Sequence, residues 1–185
     1  MSLLRSTLND IEPFIGDDSW IDQRITGNVR VVDQATDKTI AGKQFFASST
    51  KLAGGAAFYI AAVKAVGVPV SVRRLTVSSS VAGLMAVGFA TADPTVAFFA
   101  GSALQNKLAG GAVSGAVRVF GECAAATPTG IELPGFVALA YVYVNANAYQ
   151  ELLMTTPLYL PVGRLLCAVG PAANASVTMM TDCEE

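Results

Sequence analysis

From Leu52 to Thr181 the chain runs for 130 residues with ten charged side chains: Lys64, Arg73, Arg74, Asp93, Lys107, Arg118, Glu122, Glu132, Glu151 and Arg164. That is about a third of the density of an ordinary soluble domain. A globule that keeps itself dispersed shows water a mixed coat of roughly 25–35% Lys, Arg, Glu and Asp. This stretch has too little charge to coat every side, so much of its surface is expected to be covered by copies of the same chain or by another protein. A bilayer is the rival cover, because residues 75–92, 133–150 and 165–181 are free of charge and long enough to span one. These stretches are broken by Ser78, Ser79, Ser80, Pro134, Gly135, Asn145, Asn147, Pro171 and Asn174, and no Lys or Arg clusters flank them. The expectation is therefore no membrane partner.

Charge divides the chain at residue 51. Residues 1–51 hold thirteen of the 26 charges, and the remaining 134 residues hold the other thirteen. The leader scatters Phe14, Ile15 and Trp20 among charges and can bury little on its own. It reads as an extended polar arm with one strand at 28–33 that settles on a neighbour, or else as a frayed terminus. Residues 52–185 form the second part, a single domain. The opening run MSLLRSTLNDIEPF turns acidic too early for a secretory signal, which makes the cytoplasm the expected compartment of synthesis. A net charge of −2 offers no footprint for nucleic acid. Cys123, Cys167 and Cys183 are odd in number and widely spaced, as expected of free thiols with the first two at least partly buried.

The body reads as strands. Residues 136–144 are rich in β-branched and aromatic types, with Val137, Leu139, Tyr141 and Tyr143 on one face and Phe136, Ala138, Ala140, Val142 and Val144 on the other. Two apolar faces fit a strand held between layers or at a subunit interface. In the run 70–77 the apolar positions change phase across Arg73 and Arg74, as a β-bulge would require. Gly and Pro punctuation separates eight or nine body strands, which predicts an all-β sandwich of jelly-roll or Greek-key type. Residues 54–65 are Ala-rich with Tyr59 and Ile60, and fit strand or helix equally.

Chemistry is scarce. The chain has no histidine, which removes the usual proton carrier near neutral pH and the commonest zinc ligand. Asp93, Glu122, Glu132 and Glu151 are spaced at least ten residues apart, so nothing in the spacing pairs them as acid and base. The hexapeptide KLAGGA occurs at 51–56 and again at 107–112, without the order of a phosphate-binding loop, and reads as a tight bend before a strand. No catalytic, cofactor or metal residues are expected, and the chain is not expected to be an enzyme. Arg73 and Arg74 should project to opposite sides of a sheet, either one solvated and one locally bonded, or with a guanidinium reaching a neighbouring subunit's carboxylate.

Several phrases carry a family likeness: VSVRRLTVSSSVAG at 70–83, VGF at 87–89, NKLAGG at 106–111, TPLYLPVGRLL at 156–166 and AANASVT at 172–178, with a final pair of glutamates. Over residues 57–185 they resemble accessory virion proteins of tailed bacteriophages. The resemblance implies a small β-sandwich subunit, often trimeric, that cements or decorates a capsid or builds spikes and fibres. It implies as partners the chain itself and a major capsid or other virion protein, and as location the virion, after synthesis in the host bacterial cytoplasm. In that setting Phe14, Ile15 and Trp20 of the arm, with Arg73 and Arg74, are the candidate interface residues. A tail fibre, spike or baseplate role stays open. So does a carbohydrate-binding module, although Trp20 lies outside the body and Tyr141, Tyr143, Tyr149 and Tyr159 fall in strand-like runs rather than on an evident aromatic platform.

Overall fold

The structure is a computed structural model and describes residues 19–23, 29–33, 38–95, 97–152 and 154–185. The chain divides into two units, Met1–Lys43 and Gln44–Glu185. In the first, β1 (Ser19–Gln23) pairs antiparallel with β2 (Val29–Asp33), Ser19 opposite Asp33 and Gln23 opposite Val29. The strand expected at 28–33 thus has a partner that the polar composition of 19–23 concealed. A single helical turn at 38–40 follows. Gly42 stops it: its N–H donates to the Thr39 carbonyl at 3.0 Å, and that of Lys43 donates to the Lys38 carbonyl at 2.8 Å. This double closure needs a residue in the left-handed region, and Gly42 has φ of 68°.

The boundary between units falls after Lys43, eight residues earlier than the charge distribution suggests. Residues 44–51 form β3 (Gln44–Lys51), a strand of the sandwich. Its apolar residues are confined to Phe45, Phe46 and Ala47, of which Phe45 and Ala47 point inward at 2% exposed, and residues 48–51 are polar, so its mean composition resembles that of the polar leader.

The second unit is an all-β sandwich of two antiparallel sheets. Its further strands are β4 (Phe58–Ala65), β5 (Val70–Ser79), β6 (Gly83–Ala90), β7 (Ala97–Ala103), β8 (Gln105–Asn106), β9 (Ala116–Cys123), β10 (Val137–Val144), β11 (Tyr149–Leu152), β12 (Leu158–Leu160), β13 (Leu165–Val169) and β14 (Val177–Glu184). The first sheet has the order β10-β6-β13-β4-β9-β7, and the second the order β11-β5-β14-β3-β8 with β12 also on β5. Pairing is nested: β3 lies beside β14, β4 beside β13, β5 beside β11, and β6 beside β10. β7 and β9 extend the first sheet beyond β4.

Between the sheets, Tyr59, Ala61, Val63, Met85, Val87, Leu166 and Ala168 meet Phe45, Val72, Leu75, Val77, Met179 and Cys183. A second core covers the other face of the first sheet, where Ile60, Ala62, Ala86, Val119, Cys167 and Val169 lie under Leu133 with Phe136 packed against them. Two cores explain the ambiguity at 54–65. Since β4 and β13 bury both faces, neither shows alternation, and an apolar run of that kind is compatible with either helix or strand.

The phase change at Arg73 is a bulge. Asp182 of β14 stands opposite Arg74, but Cys183 stands opposite Val72, which leaves Arg73 as the extra residue. Each KLAGGA segment precedes a strand and carries the chain from the second sheet to the first, into β4 and β9. The two copies differ in backbone: Gly110 has φ of 79°, and Asn106 braces its loop by accepting from the Leu108 N–H and donating to the Ala112 carbonyl.

Candidate functional site

The site is built on β10, the edge strand of the first sheet, whose outer side no strand pairs among the described residues. Residues 124–136 lead into it and are pinned in place. The Glu132 carboxylate accepts the Ala124 N–H at 2.7 Å, the Thr91 N–H and hydroxyl both donate to the Pro134 carbonyl, and the Thr95 N–H donates to that of Glu132. Two glycines make the close approach possible. A Cβ on Gly88 of β6 would lie 2.2 Å from the Val137 carbonyl oxygen of β10, and one on Gly135, whose φ is 61°, would lie 2.4 Å from the Thr91 hydroxyl.

Along β10 the small or inward residues Ala138, Ala140, Val142 and Val144 alternate with Val137, Leu139, Tyr141 and Tyr143. Val142 and Val144 join the core between the sheets. The other set is exposed: Val137 63%, Leu139 48%, Tyr141 57% and Tyr143 62%. Leu84 of β6, directly opposite Tyr143, extends the patch and is 59% exposed. Of the two settings that the doubly apolar pattern allowed, burial between layers is not supplied by the described residues. What the described residues leave is an uncovered apolar strip beside an unpaired backbone edge. No charged residue lies between 133 and 150 to guard it, whereas edge strands that must stay unpaired are commonly blunted by charge or proline.

The charges elsewhere are largely spent inside the chain. Nine of the ten between Leu52 and Thr181 have a partner among the described residues. Lys64 pairs with Asp93 at 2.8 Å, Lys51 with Glu122 at 3.3 Å and Lys107 with Asp182 at 3.2 Å. Arg118 donates to the Ser48 carbonyl at 2.9 Å, and Glu132 caps its own loop. Arg73 bonds to Glu184, which is 6% exposed, while Arg74 forks onto Glu151 through Nε at 2.6 Å and Nη2 at 3.0 Å.

Arg73 and Arg74 therefore do not project to opposite sides. The bulge turns both outward on the second sheet, and each finds a carboxylate of its own chain. The hydrogen bond from Arg74 holds the Glu151 carboxyl below its ordinary range, and the same bond raises Arg74. Phe14 and Ile15 lie outside the described residues; Trp20 lies in β1, with its side chain outside them.

The three thiols are free and buried. Burial pushes Cys123 and Cys183 up to about 11 and Cys167 further upward, so none is a ready thiolate near neutral pH. Among the described residues no three Cys, Asp or Glu side chains converge as a metal site needs, and no helix is long and apolar enough to cross a membrane. The exposure of Tyr141, Tyr143, Tyr149 and Tyr159, each above half, is what sequence reasoning missed. A signal existed at 137–144, where bulky residues alternate with alanine, but the alternation does not reveal which face is inward.

Comparison with protein-family models, with curated proteins and with solved structures finds no match.

Proposed function

We propose that this chain is a structural subunit of a virion, a cement or decoration protein that self-associates, as a homotrimer, and binds a capsid or other virion protein. The observation that carries the reading is the charge-free strip of Leu139, Tyr141 and Tyr143, extended by Leu84 of β6, on an edge strand whose outer side no strand pairs among the described residues. Covering such a strip releases roughly 25 cal/mol for each Å² of apolar area removed from water, and a symmetric assembly repeats the gain at every copy. Repetition also allows a weak single contact to a shell to become firm attachment by avidity. The nested order, first strand beside last and second beside penultimate, supports reading the sandwich as a jelly roll with β7 to β9 inserted. The likeness over residues 57–185 to accessory proteins of tailed bacteriophages supports the virion setting. Charged side chains already engaged within the chain leave the apolar strip, rather than Arg73 and Arg74, as the main contact surface of the body.

Light scattering on the purified full chain, followed by antibody labelling of intact particles in electron microscopy, tests the proposal. A trimer that labels the head supports it; label confined to the tail or baseplate would move the protein to a fibre or spike role. A monomer at high concentration that labels no particle would overturn both.

A further inference from the structure

We infer that the groove on the outer face of the second sheet is a binding site for a neutral saccharide, separate from the strip on β10. The groove crosses β11, β5, β14 and β3 and has a volume of about 400 Å³, within the roughly 300–1,000 Å³ typical of small-ligand sites. It is lined chiefly by Phe46, Arg74, Tyr149, Glu151, Met180 and Asp182. Register explains the assembly. Asp182 stands opposite Phe46 on one side and Arg74 on the other, while Thr76 stands between Met180 and Glu151. Two cross-strand rows thus turn their outward side chains into one trough.

Its chemistry selects the ligand. Tyr149 on β11 and Phe46 on β3 are 64% and 41% exposed, one ring near each side of the trough, with Met180 on the strand between them. Such surfaces suit the C–H face of a sugar ring, which packs on an aromatic plane. The Arg74 guanidinium has five N–H groups and Glu151 takes two of them, so three remain to donate, and the carboxylate oxygens keep lone pairs to accept. A planar pair locked in this way presents donors and acceptors side by side, as two adjacent sugar hydroxyls do. Charge argues for neutrality. Arg74 is already compensated by Glu151, and Lys107 by Asp182, so a phosphate or carboxylate ligand would have to displace a resident anion and a metal cation a resident base. A polyhydroxylated neutral ligand adds to the pairs without breaking them.

The test uses the full-length protein on an array of immobilised neutral, sialylated and sulfated oligosaccharides, followed by calorimetric titration of the best neutral ligand. Binding to neutral glycans should weaken about tenfold in Tyr149→Ala and survive in Tyr149→Phe, since the ring and not the hydroxyl carries the stacking. Glu151→Gln, which keeps shape but loses the charge-assisted fork, should also weaken it, and Tyr159→Ala, which removes an equally exposed ring on β12 outside both the groove and the strip, should leave it unchanged. The inference is overturned if no neutral glycan binds, if only acidic glycans bind, or if both Tyr149→Ala and Glu151→Gln bind as the parent does with thermal unfolding intact. Because Tyr141 belongs to the strip and Tyr149 to the groove, failure of self-association and failure of sugar binding are read separately.

Discussion

Replacing Tyr141 and Tyr143 together with lysine should dissolve the proposed assembly while leaving the fold in place. Tyr141 is 57% exposed and Tyr143 62% exposed in the single chain. An aromatic side chain buries roughly 150–250 Å² when covered, so each ring leaves on the order of 100 Å² still to be buried. At roughly 25 cal/mol per Å², covering that area contributes about 2.5 kcal/mol per ring at each interface. Losing one ring should weaken association by somewhat less than 100-fold, since about 1.4 kcal/mol corresponds to a factor of ten. Losing both should weaken it by several thousandfold on the same scale, before counting repulsion between the new charges. The change should be nearly silent in the isolated fold, because exposed substitutions away from special features usually shift stability by about 0.5 kcal/mol or less. Size-exclusion chromatography with light scattering over a concentration series, alongside thermal unfolding, separates the two effects. An unaltered oligomer in the double variant, with unfolding unchanged, would refute the assignment of β10 as the contact surface.

Leu133→Ala tests the second core, since Leu133 is fully buried over the first sheet; the cost should be about 2–5 kcal/mol in denaturant unfolding, against under 1 kcal/mol if residues 124–136 merely lie on the surface. The Arg74 to Glu151 fork should give a pH signature. The Glu151 carboxyl is lowered in the fold from an ordinary 4.5, so its contribution is present above that value and is lost as pH falls through the depressed one. Glu151→Gln should flatten the acid side of a plot of unfolding midpoint against pH; an unchanged profile would show that the fork does not persist in solution. The thiols of Cys123, Cys167 and Cys183 should resist alkylation at pH 8 in the folded protein and react together on unfolding, by mass spectrometry, because burial pushes all three upward.

What could be seen in the residues beforehand follows a physical line. The all-β sandwich, the bulge at Arg73 and the bends at the KLAGGA segments ahead of β4 and β9 were legible, because each is written in local alternation or punctuation. The domain boundary was displaced because the apolar residues of β3 are confined to Phe45, Phe46 and Ala47 and the strand ends in four polar residues, so that its average composition matches the leader. The outward turn of both arginines required knowing that the bulge would place Arg73 and Arg74 beside Glu184 and Glu151, residues 111 and 77 positions away. Pairing across such distances leaves no trace in spacing. The tyrosines were obscured for a related reason. A strand apolar on both faces looks alike whether it lies at the centre of a sheet, as β13 does, or at its rim, as β10 does, and only the strand order tells them apart.

The marriage of β3 to β14 carries a kinetic consequence. Lys51 is registered with Val177 and Gln44 with Glu184, so the two central strands of the second sheet come from segments more than 120 residues apart. A ribosome must deliver almost the entire body before that sheet can close, and contacts of such high order place folding in the slow, millisecond-to-second range. During that interval, sticky rims stay open to the wrong neighbour. Because β14 is paired on both sides, with β3 and with β5, removing its eight residues should abolish the sandwich rather than trim it.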